Sequence, residues 1–213
     1  QEADGFRVEV DVIDEEGVVM EVKTFRARRL FVCAGTANTN ALLLRARDER
    51  TIEGLPDSLG EGFGNNGQHI RARQNVGVDT GAYQAGPACL MLFDREMPIA
   101  MENGPAPLGS EMQALIGTGQ GIPSGRGRFT WDAEEGKVVP HWAPEYDAEA
   151  AANTQTVLDR LNATNGGEDA TSMLGLNVSI TFHPLGGCVM GETTDLYGRM
   201  QGVPNLYVID GSL

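Results

Sequence analysis

The fold is decided by a C-terminal stretch that reads Thr181-Phe182-His183-Pro184-Leu185-Gly186-Gly187-Cys188 and, after Asp195-Leu196-Tyr197-Gly198-Arg199, closes with Asn205-Leu206-Tyr207-Val208-Ile209-Asp210-Gly211-Ser212. Its first segment places an ionisable imidazole, that of His183, at the start of a glycine turn. Because glycine has no Cβ, the backbone there can pass close to a ring system. The last segment is a short apolar run that ends in Asp-Gly, and open α/β sheets bind ligands beyond the carboxyl ends of their strands. The stretch therefore favours an α/β domain with a ligand site near this run.

The N-terminal part of the chain carries two hydrophobic patterns. Apolar and polar residues alternate over 6–12 and again over 18–24, which predicts a β-hairpin with one face toward solvent. An apolar run at 29–34 then precedes Gly35-Thr36 and a segment with helical spacing of its apolar residues. A strand, a small-residue turn and a helix in this order bring backbone N–H groups toward an anion.

The middle of the chain predicts irregular β-structure with one helix. Residues 52–69 are rich in Gly, Asn and Asp, which is typical of a surface loop or of a loop that lines a site. The segments 128–131 and 137–142 flank a turn and predict a second hairpin. A helix is expected after Pro144, with Ala151, Gln155, Leu158 and Leu161 on one face and with Asn165-Gly166-Gly167 at its end.

Composition argues against several classes of protein. The chain has 213 residues and a formal net charge of −14, so a polyanion such as a nucleic acid would be repelled. No segment approaches the roughly 18 apolar residues of a membrane-spanning helix. We interpret Cys33, Cys89 and Cys188 as buried free thiols, because three cysteines cannot all pair within one chain. The close Cys/His pairs of a zinc site are absent, and so is the G-x-S-x-G elbow of hydrolases.

The C-terminal segments resemble the signature of the glucose-methanol-choline (GMC) flavin oxidoreductases, since H-P-L-G-G-C, D-x-Y-G-R and N-L-Y-V-x-D-G-S occur here in that order. Among these enzymes the chain most resembles the cholesterol oxidases. The resemblance implies an α/β fold, α+β overall. Residues 1–64 and 181–213 would form part of a Rossmann-like FAD-binding domain, and residues 65–180 an inserted substrate domain of antiparallel sheet plus helices. The family's G-x-G-x-x-G and G-x-N-P segments are not found in this sequence, which predicts a fragment of a larger enzyme.

The same resemblance assigns roles to individual residues. His183 would orient and deprotonate an alcohol, and Glu102 would move the proton that shifts the double bond after oxidation. Gly211, with its neighbour Asp210, would contact the flavin, as would the loop that carries Asn66 and Gly67. Residue type alone leaves other interpretations open: a structural histidine, an exposed acid and two ordinary turns.

The function implied is FAD-dependent oxidation of a sterol 3β-hydroxyl to the ketone, with double-bond isomerisation and with dioxygen as the acceptor that yields hydrogen peroxide. One alternative is a GMC dehydrogenase with another alcohol and a non-oxygen acceptor. Another is a flavin-free remnant that only binds a hydrophobic ligand or a partner chain. By the resemblance, the enzyme would be a secreted bacterial protein that extracts sterol at a membrane surface. The chain alone should be poorly stable or should associate with a complementary segment of the same enzyme, because an incomplete domain leaves a strand edge and an apolar face exposed.

Overall fold

The computed structural model describes residues 1–77, 97–104, 115–176 and 178–213. Cys89 and the proline-rich stretch after Gly104 lie outside the described residues. The described part is a mixed α+β structure with several antiparallel sheets. It divides into two compact units. Unit 1 comprises Gln1–Phe63, Gly127–His141 and Leu185–Leu213, and unit 2 comprises Gly64–Arg126 and Trp142–Pro184.

The elements follow one another along the chain as β1 (Phe6–Ile13), β2 (Val19–Ala27), β3 (Leu30–Val32), α1 (Thr36–Asp48), β4 (Glu61–Phe63), β5 (His69–Gln74), β6 (Ile99–Gly104), β7 (Leu115–Gly121), β8 (Gly127–Asp132), β9 (Lys137–His141), a 3₁₀ turn (Pro144–Asp147), α2 (Ala148–Asn165), β10 (Glu168–Asp169) and β11 (Leu206–Val208). Both predicted hairpins form, as β1–β2 and β8–β9. Both predicted helices form as well. In the described residues no helix is long and apolar enough to cross a membrane.

Unit 1 contains three small sheets and α1. Strands β3 and β11 pair in parallel, β1 and β2 form the N-terminal hairpin, and β4, β8 and β9 form an antiparallel sheet. The core is built from buried side chains of α1, of the strands and of the loops between them, among them Leu43, Leu44, Leu59, Phe63, Phe129, Leu206 and Val208. The rings of Phe63 and Phe129 meet at a centroid distance of 4.5 Å and join β4 to β8.

Two expectations for unit 1 are wrong. The hairpin was expected to have a single wet face, yet every residue of β2 is exposed, and Phe25 is 57% exposed. The reason is that no second layer covers the apolar side of this two-stranded ribbon in the described part of the chain. Cys33 was expected to be buried, yet it is exposed just after the three-residue strand β3. Cys188 is buried, as expected, and burial together with the nearby Asp210 carboxylate raises the pKa of its thiol to about 12.

Unit 2 is built on one antiparallel sheet with the strand order β10-β5-β7-β6, and α2 packs across β5, β7 and β6. Ile99 and Met101 on β6 pack with Val157 on α2 in a buried apolar cluster. Side chains alternate along a strand, so residues with the parity of Met101 face the helix and those with the parity of Glu102 point the other way. We call these two sides the α2 face and the polar face of the sheet.

Glycines make room for α2 on this sheet. Gly117, Gly119 and Gly121 alternate along β7 on the α2 face, and a Cβ on Gly121 would lie 2.7 Å from the Cβ of Ala150. The buried residues of the helix are Ala150, Thr154, Val157 and Leu158. The predicted face, which began at Ala151, is therefore rotated by about one residue. Small side chains rather than the largest apolar ones contact the glycines, because only they fit this close approach.

We expect Gly119→Ala to lower the free energy of unfolding by about 1–3 kcal/mol. A Cβ at Gly119 would overlap the buried side chain of Thr154, whose Cβ would lie only 2.9 Å away. Urea denaturation of the variant and the parent measures the difference. The control is Gly104→Ala in the same sheet, where a Cβ meets no atom of the described residues within 4 Å. Equal stabilities of the two variants would contradict this packing, whereas partial recovery in Gly119→Ala/Thr154→Ala would support it.

Candidate active site

Glu102 lies on the polar face of the unit 2 sheet, where it is held by a glutamine. Glu102 on β6 pairs with Thr118 on β7, and Gln120 stands two positions along the same strand. The Gln120 Nε2 donates to Glu102 Oε1 at 3.0 Å, while the Gln120 Oε1 accepts from Asn66 Nδ2 at 3.2 Å. The Gln120 amide therefore connects two predicted parts of the site. One is Glu102, which is expected to transfer a proton, and the other is the loop of Asn66, which is expected to lie beside the flavin.

His183 is held by a second glutamine. Gln68 is completely buried, and its Oε1 accepts a hydrogen bond from the backbone N–H of Phe182 at 2.6 Å. This contact turns the amide so that its Nε2 faces His183 Nδ1, at 3.4 Å. Because an amide NH₂ can only donate, Nδ1 is the acceptor, and the neutral imidazole carries its proton on Nε2. His183 itself is exposed, so Nε2–H is accessible to a ligand.

The segment 65–69 contacts both sides of the unit 2 sheet. Asn66 reaches Gln120 on the polar face. Asn65 and His69 contact Asp147 at the start of α2. His69, the first residue of β5, pairs with Gly119 on the α2 face, so alternation directs the preceding Gln68, and His183 with it, to the side of the sheet that carries Glu102. Two residues that are far apart in the sequence are brought to one face.

A buried polar cluster anchors this segment from the α2 face. Asp147 is 3% exposed, and its Oδ2 accepts from Asn65 Nδ2 at 2.6 Å and from Ser179 Oγ at 2.8 Å. The Asn65 Oδ1 accepts from the backbone N–H of Gly67 at 2.8 Å. Gly67 has a φ of 55°, and a Cβ there would lie 2.5 Å from the carbonyl oxygen of Gly121. Packing on Gly121 alone therefore explains this glycine, and its predicted contact with the flavin stays a prediction.

His69 belongs to the same cluster and is buried as well. Burial, the largest effect, lowers the pKa of His69 below its ordinary value, and the Arg71 charge adds to this, while Asp147 opposes it. The His69 Nε2 lies 3.5 Å from Asp147 Oδ2. At neutral pH the ring is therefore uncharged in the folded protein.

The buried His69 predicts a pH-dependent stability. Above pH 6.5 the ring is neutral in both states and contributes nothing to the pH dependence. As the pH falls below 6.5 the unfolded chain binds a proton that the folded chain does not, so the free energy of unfolding should decrease by up to about 1.4 kcal/mol per pH unit. Urea denaturation should be measured between about pH 7.5 and about pH 5, a range that spans the ordinary pKa of histidine. Over this range the free energy of unfolding should decline less for His69→Gln than for the parent. His141→Gln, at an exposed histidine, is the control. Parallel curves for parent and His69→Gln would contradict a neutral buried ring.

Asp210 and Gly211, the other predicted cofactor contacts, belong to unit 1. The Asp210 Oδ2 accepts from Gly35 N at 3.0 Å and from Thr39 Oγ1 at 2.6 Å, and Oδ1 accepts from the N–H and the hydroxyl of Ser212. Burial opposes ionisation, but the hydrogen bonds outweigh it and the pKa of Asp210 lies below its ordinary value. The carbonyl of Gly211 accepts from the backbone N–H of Gly186 at 2.9 Å.

The anion at the start of α1 is therefore a side chain of the protein itself, the Asp210 carboxylate. The strand-turn-helix pattern around Gly35 predicts a place for an anion, and Asp210 supplies it from the end of the last strand. A phosphate at the same point would be repelled by this carboxylate, so the start of α1 does not fit the pyrophosphate of FAD. The reacting end of the cofactor fits better, because His183 offers an accessible donor and Glu102 a half-buried acceptor on one sheet face. The contacts of Asp210 and Gly211 with a flavin stay predictions.

Three of these residues were not anticipated from the sequence. Gln68, Gln120 and Asp147 each hold a predicted site residue or its loop. The signal available was the alternation of glycines with larger residues along β7, which places Thr118 and Gln120 opposite the glycines. Among the described residues no group of three or more His, Cys, Asp or Glu side chains is arranged to hold a metal.

A cavity of about 300 Å³ lies elsewhere in unit 2, between α2 and the ends of the strands. Leu158 and Leu161 line it from the helix and Met101 from the α2 face of β6. Glu102 also borders it, next to Met101 on the same strand. The side chains of Gln120 and Asn66 that hold the Glu102 carboxylate are not part of its lining. Of the two candidate acid–base residues, Glu102 borders this cavity and His183 does not.

Part of the chain matches a known protein family. Residues 142–213, about a third of the chain, match the family model described as GMC oxidoreductase, in its C-terminal part. The matched segment includes α2, His183 and the C-terminal strand. Over these residues the chain is similar to the C-terminal part of the GMC oxidoreductases, a family of generally FAD-dependent enzymes that act on alcohol-type substrates.

Proposed function

We propose that this GMC oxidoreductase chain carries the acid–base residues of an alcohol oxidase that converts the 3β-hydroxyl of a sterol to a ketone and then shifts the double bond. The observation that supports the proposal is the attachment of His183 and Glu102 to one face of one sheet through Gln68 and Gln120. An alcohol placed on that face meets a hydrogen-bond donor and a proton acceptor together.

His183 serves as the donor that holds the alcohol. Oxidation removes a hydride from the carbinol carbon and a proton from the hydroxyl oxygen, so that C–O becomes C=O. With its proton on Nε2, His183 donates to the hydroxyl oxygen and stabilises the negative charge that develops there. The proton then needs another acceptor, and the Glu102 carboxylate takes that role. This differs from the sequence-based expectation, in which His183 itself removes the proton.

Bound FAD would supply the hydride acceptor, with dioxygen as the final acceptor that yields hydrogen peroxide. We propose that Asn66 and Gly67 lie near the edge of its ring system. The exposed Nε2–H of His183 and the half-buried Glu102 keep the proton transfers on this chain's own side chains.

Glu102 has a second role in the same proposal. After oxidation, and once Glu102 has released the hydroxyl proton to solvent, its carboxylate removes a proton from the carbon between the carbonyl and the double bond and returns it at the far end of the double bond. One C–H bond breaks and one forms, so the step consumes no oxidant. A single carboxylate can do this only if its position is well defined, because a misplacement of about 1 Å costs roughly 100-fold in rate.

The experiment is turnover by the flavin-containing enzyme that includes this chain, with a 3β-hydroxysterol and with simple alcohols, under dioxygen and with peroxide detection. Sterol turnover with peroxide and a conjugated ketone supports the proposal. Turnover of simple alcohols with only an artificial acceptor would replace it by a GMC dehydrogenase. A purified enzyme without flavin absorbance would favour a remnant that only binds a ligand or partner.

We also propose that unit 1 pairs with a complementary segment of the same enzyme. Parallel sheets are normally covered on both faces, yet Phe31 on β3 and Ile209 just after β11 are 52% and 54% exposed. Size-exclusion chromatography of the chain alone should show association or poor recovery. A monomer with one sharp unfolding transition would contradict the proposal.

A further inference from the structure

We infer that Gln120 is a positioning residue that fixes which oxygen of Glu102 transfers protons. The inference deepens the proposed function and rests on it for the role of Glu102. Gln120 occupies the polar face of β7 and reaches diagonally to Glu102 on β6, with 3.0 Å between Nε2 and Oε1. Nothing in the sequence marks this glutamine as functional, since it stands between two glycines in an ordinary strand.

The direction of the Gln120 amide follows from its other contact. An amide has one donor end and one acceptor end, and Asn66 Nδ2 can only donate. Asn66 Nδ2 therefore donates to Gln120 Oε1, at 3.2 Å, and this contact turns the NH₂ group of Gln120 toward Glu102. The Glu102 Oε1 is thereby held as an acceptor, and we assign proton transfer to Oε2.

The loop behind Gln120 is itself held by close packing and hydrogen bonds. Asn66 has a φ of 62°, and the next residue, Gly67, packs against the carbonyl of Gly121. Asn65 on the other side is buried and bonded to Asp147. Hydrogen bonds thus run from a buried cluster beneath α2, through the loop and Gln120, to the carboxylate. The orientation of Glu102 is set by the packed unit and does not depend on the substrate.

The test uses isomerisation of a β,γ-unsaturated steroid ketone, a redox-neutral reaction followed by the absorbance of the conjugated product. Gln120→Leu keeps a similar volume and removes both hydrogen bonds. We expect kcat to fall by about 10- to 100-fold with little change in KM, because the carboxylate stays but is no longer held in place. Glu102→Gln should fall further. The double variant Glu102→Gln/Gln120→Leu should be no slower than Glu102→Gln, since Gln120 acts only through Glu102.

A matched control lies on the same sheet. Gln74 on β5 donates to Glu168 on β10 across 3.5 Å, so Gln74→Leu removes a glutamine–glutamate contact at a distance from Glu102. This variant should isomerise the ketone at the parent rate. An equal loss in Gln74→Leu and Gln120→Leu would show a general effect on the sheet and would overturn the inference, as would multiplicative losses in the double variant.

A second measurement is independent of catalysis. In the ¹⁵N-labelled enzyme, the side-chain amide resonances of Gln120, assigned by their loss in Gln120→Leu, should shift in Glu102→Gln and in Asn66→Ala but not in Glu168→Gln. Unshifted resonances in both of the first two variants would overturn the inference. If the parent enzyme does not isomerise the ketone but these resonances shift as expected, the proposed function fails while the hydrogen-bonded arrangement stands.

Discussion

Replacing His183 with alanine is expected to lower kcat for alcohol oxidation by about 10²- to 10⁴-fold in the flavin-containing enzyme, the range typical of a lost acid–base group. The reason is that the exposed Nε2–H of His183 is the donor that we place on the alcohol oxygen, while Nδ1 is committed to Gln68. The measurement is steady-state turnover with the sterol or alcohol that the parent enzyme oxidises best.

The control for this prediction is His141→Ala. His141 is also exposed, but its Nε2 lies 2.7 Å from Thr130 Oγ1 in the hairpin of unit 1. This variant should retain the parent kcat. His183→Asn tests the donor role further, because an asparagine amide supplies an N–H without acting as a base and should recover part of the loss. A His183→Ala enzyme with parent kcat would contradict the role of this ring.

Gly186→Ala is expected to lower the free energy of unfolding by about 4 kcal/mol or to prevent folding. Two effects combine at this position. The backbone φ is 85°, in the left-handed region where side chains are strained. A Cβ would also overlap the carbonyl oxygen of Gly62, and backbone cannot move aside as a flexible side chain can. The N–H of Gly186 is held meanwhile by the carbonyl of Gly211 at 2.9 Å.

Gly191→Ala separates the two effects. Its φ is 86°, nearly the same, but a Cβ there meets nothing within 4 Å in the part of the chain that the structure describes. We expect Gly191→Ala to lower the free energy of unfolding only by the strain that a side chain has in the left-handed conformation, about 1–2 kcal/mol. Urea denaturation of both variants under the same conditions measures the difference. If Gly186→Ala lowers the free energy of unfolding no more than Gly191→Ala does, the close approach of Gly186 to Gly62 is not the reason for a glycine at this position.

Local elements were predictable because their signals are local. Proline at the start and glycine at the end indicated the helix that became α2, and Gly166 indeed follows it with a φ of 70°. Alternation and turn residues indicated the two hairpins. The helical face was displaced, however, because the contact partner of α2 is a row of glycines on β7. How closely α2 approaches the sheet depends on the residues of both α2 and β7.

The site shows the same division. His183 and Glu102 were identified by resemblance to the GMC family, from residue types in order along the chain. The hydrogen bonds that hold each of these two side chains were not predictable. The proton position on His183 depends on Gln68, and the orientation of Glu102 depends on Gln120. Both glutamines are ordinary polar residues in the sequence, and their roles follow from strand register.

By itself, the sequence determined the local elements and indicated a resemblance to one family with two candidate acid–base residues, because motifs and hydrophobic periods are properties of consecutive residues. Only the tertiary structure decided that an internal carboxylate, Asp210, occupies the start of α1. It also decided that side chains of the segment 65–69 contact both faces of one sheet. The physical reason is that hydrogen bonds and steric contacts form between residues brought together by strand pairing, and such neighbours are set by the fold of the whole unit.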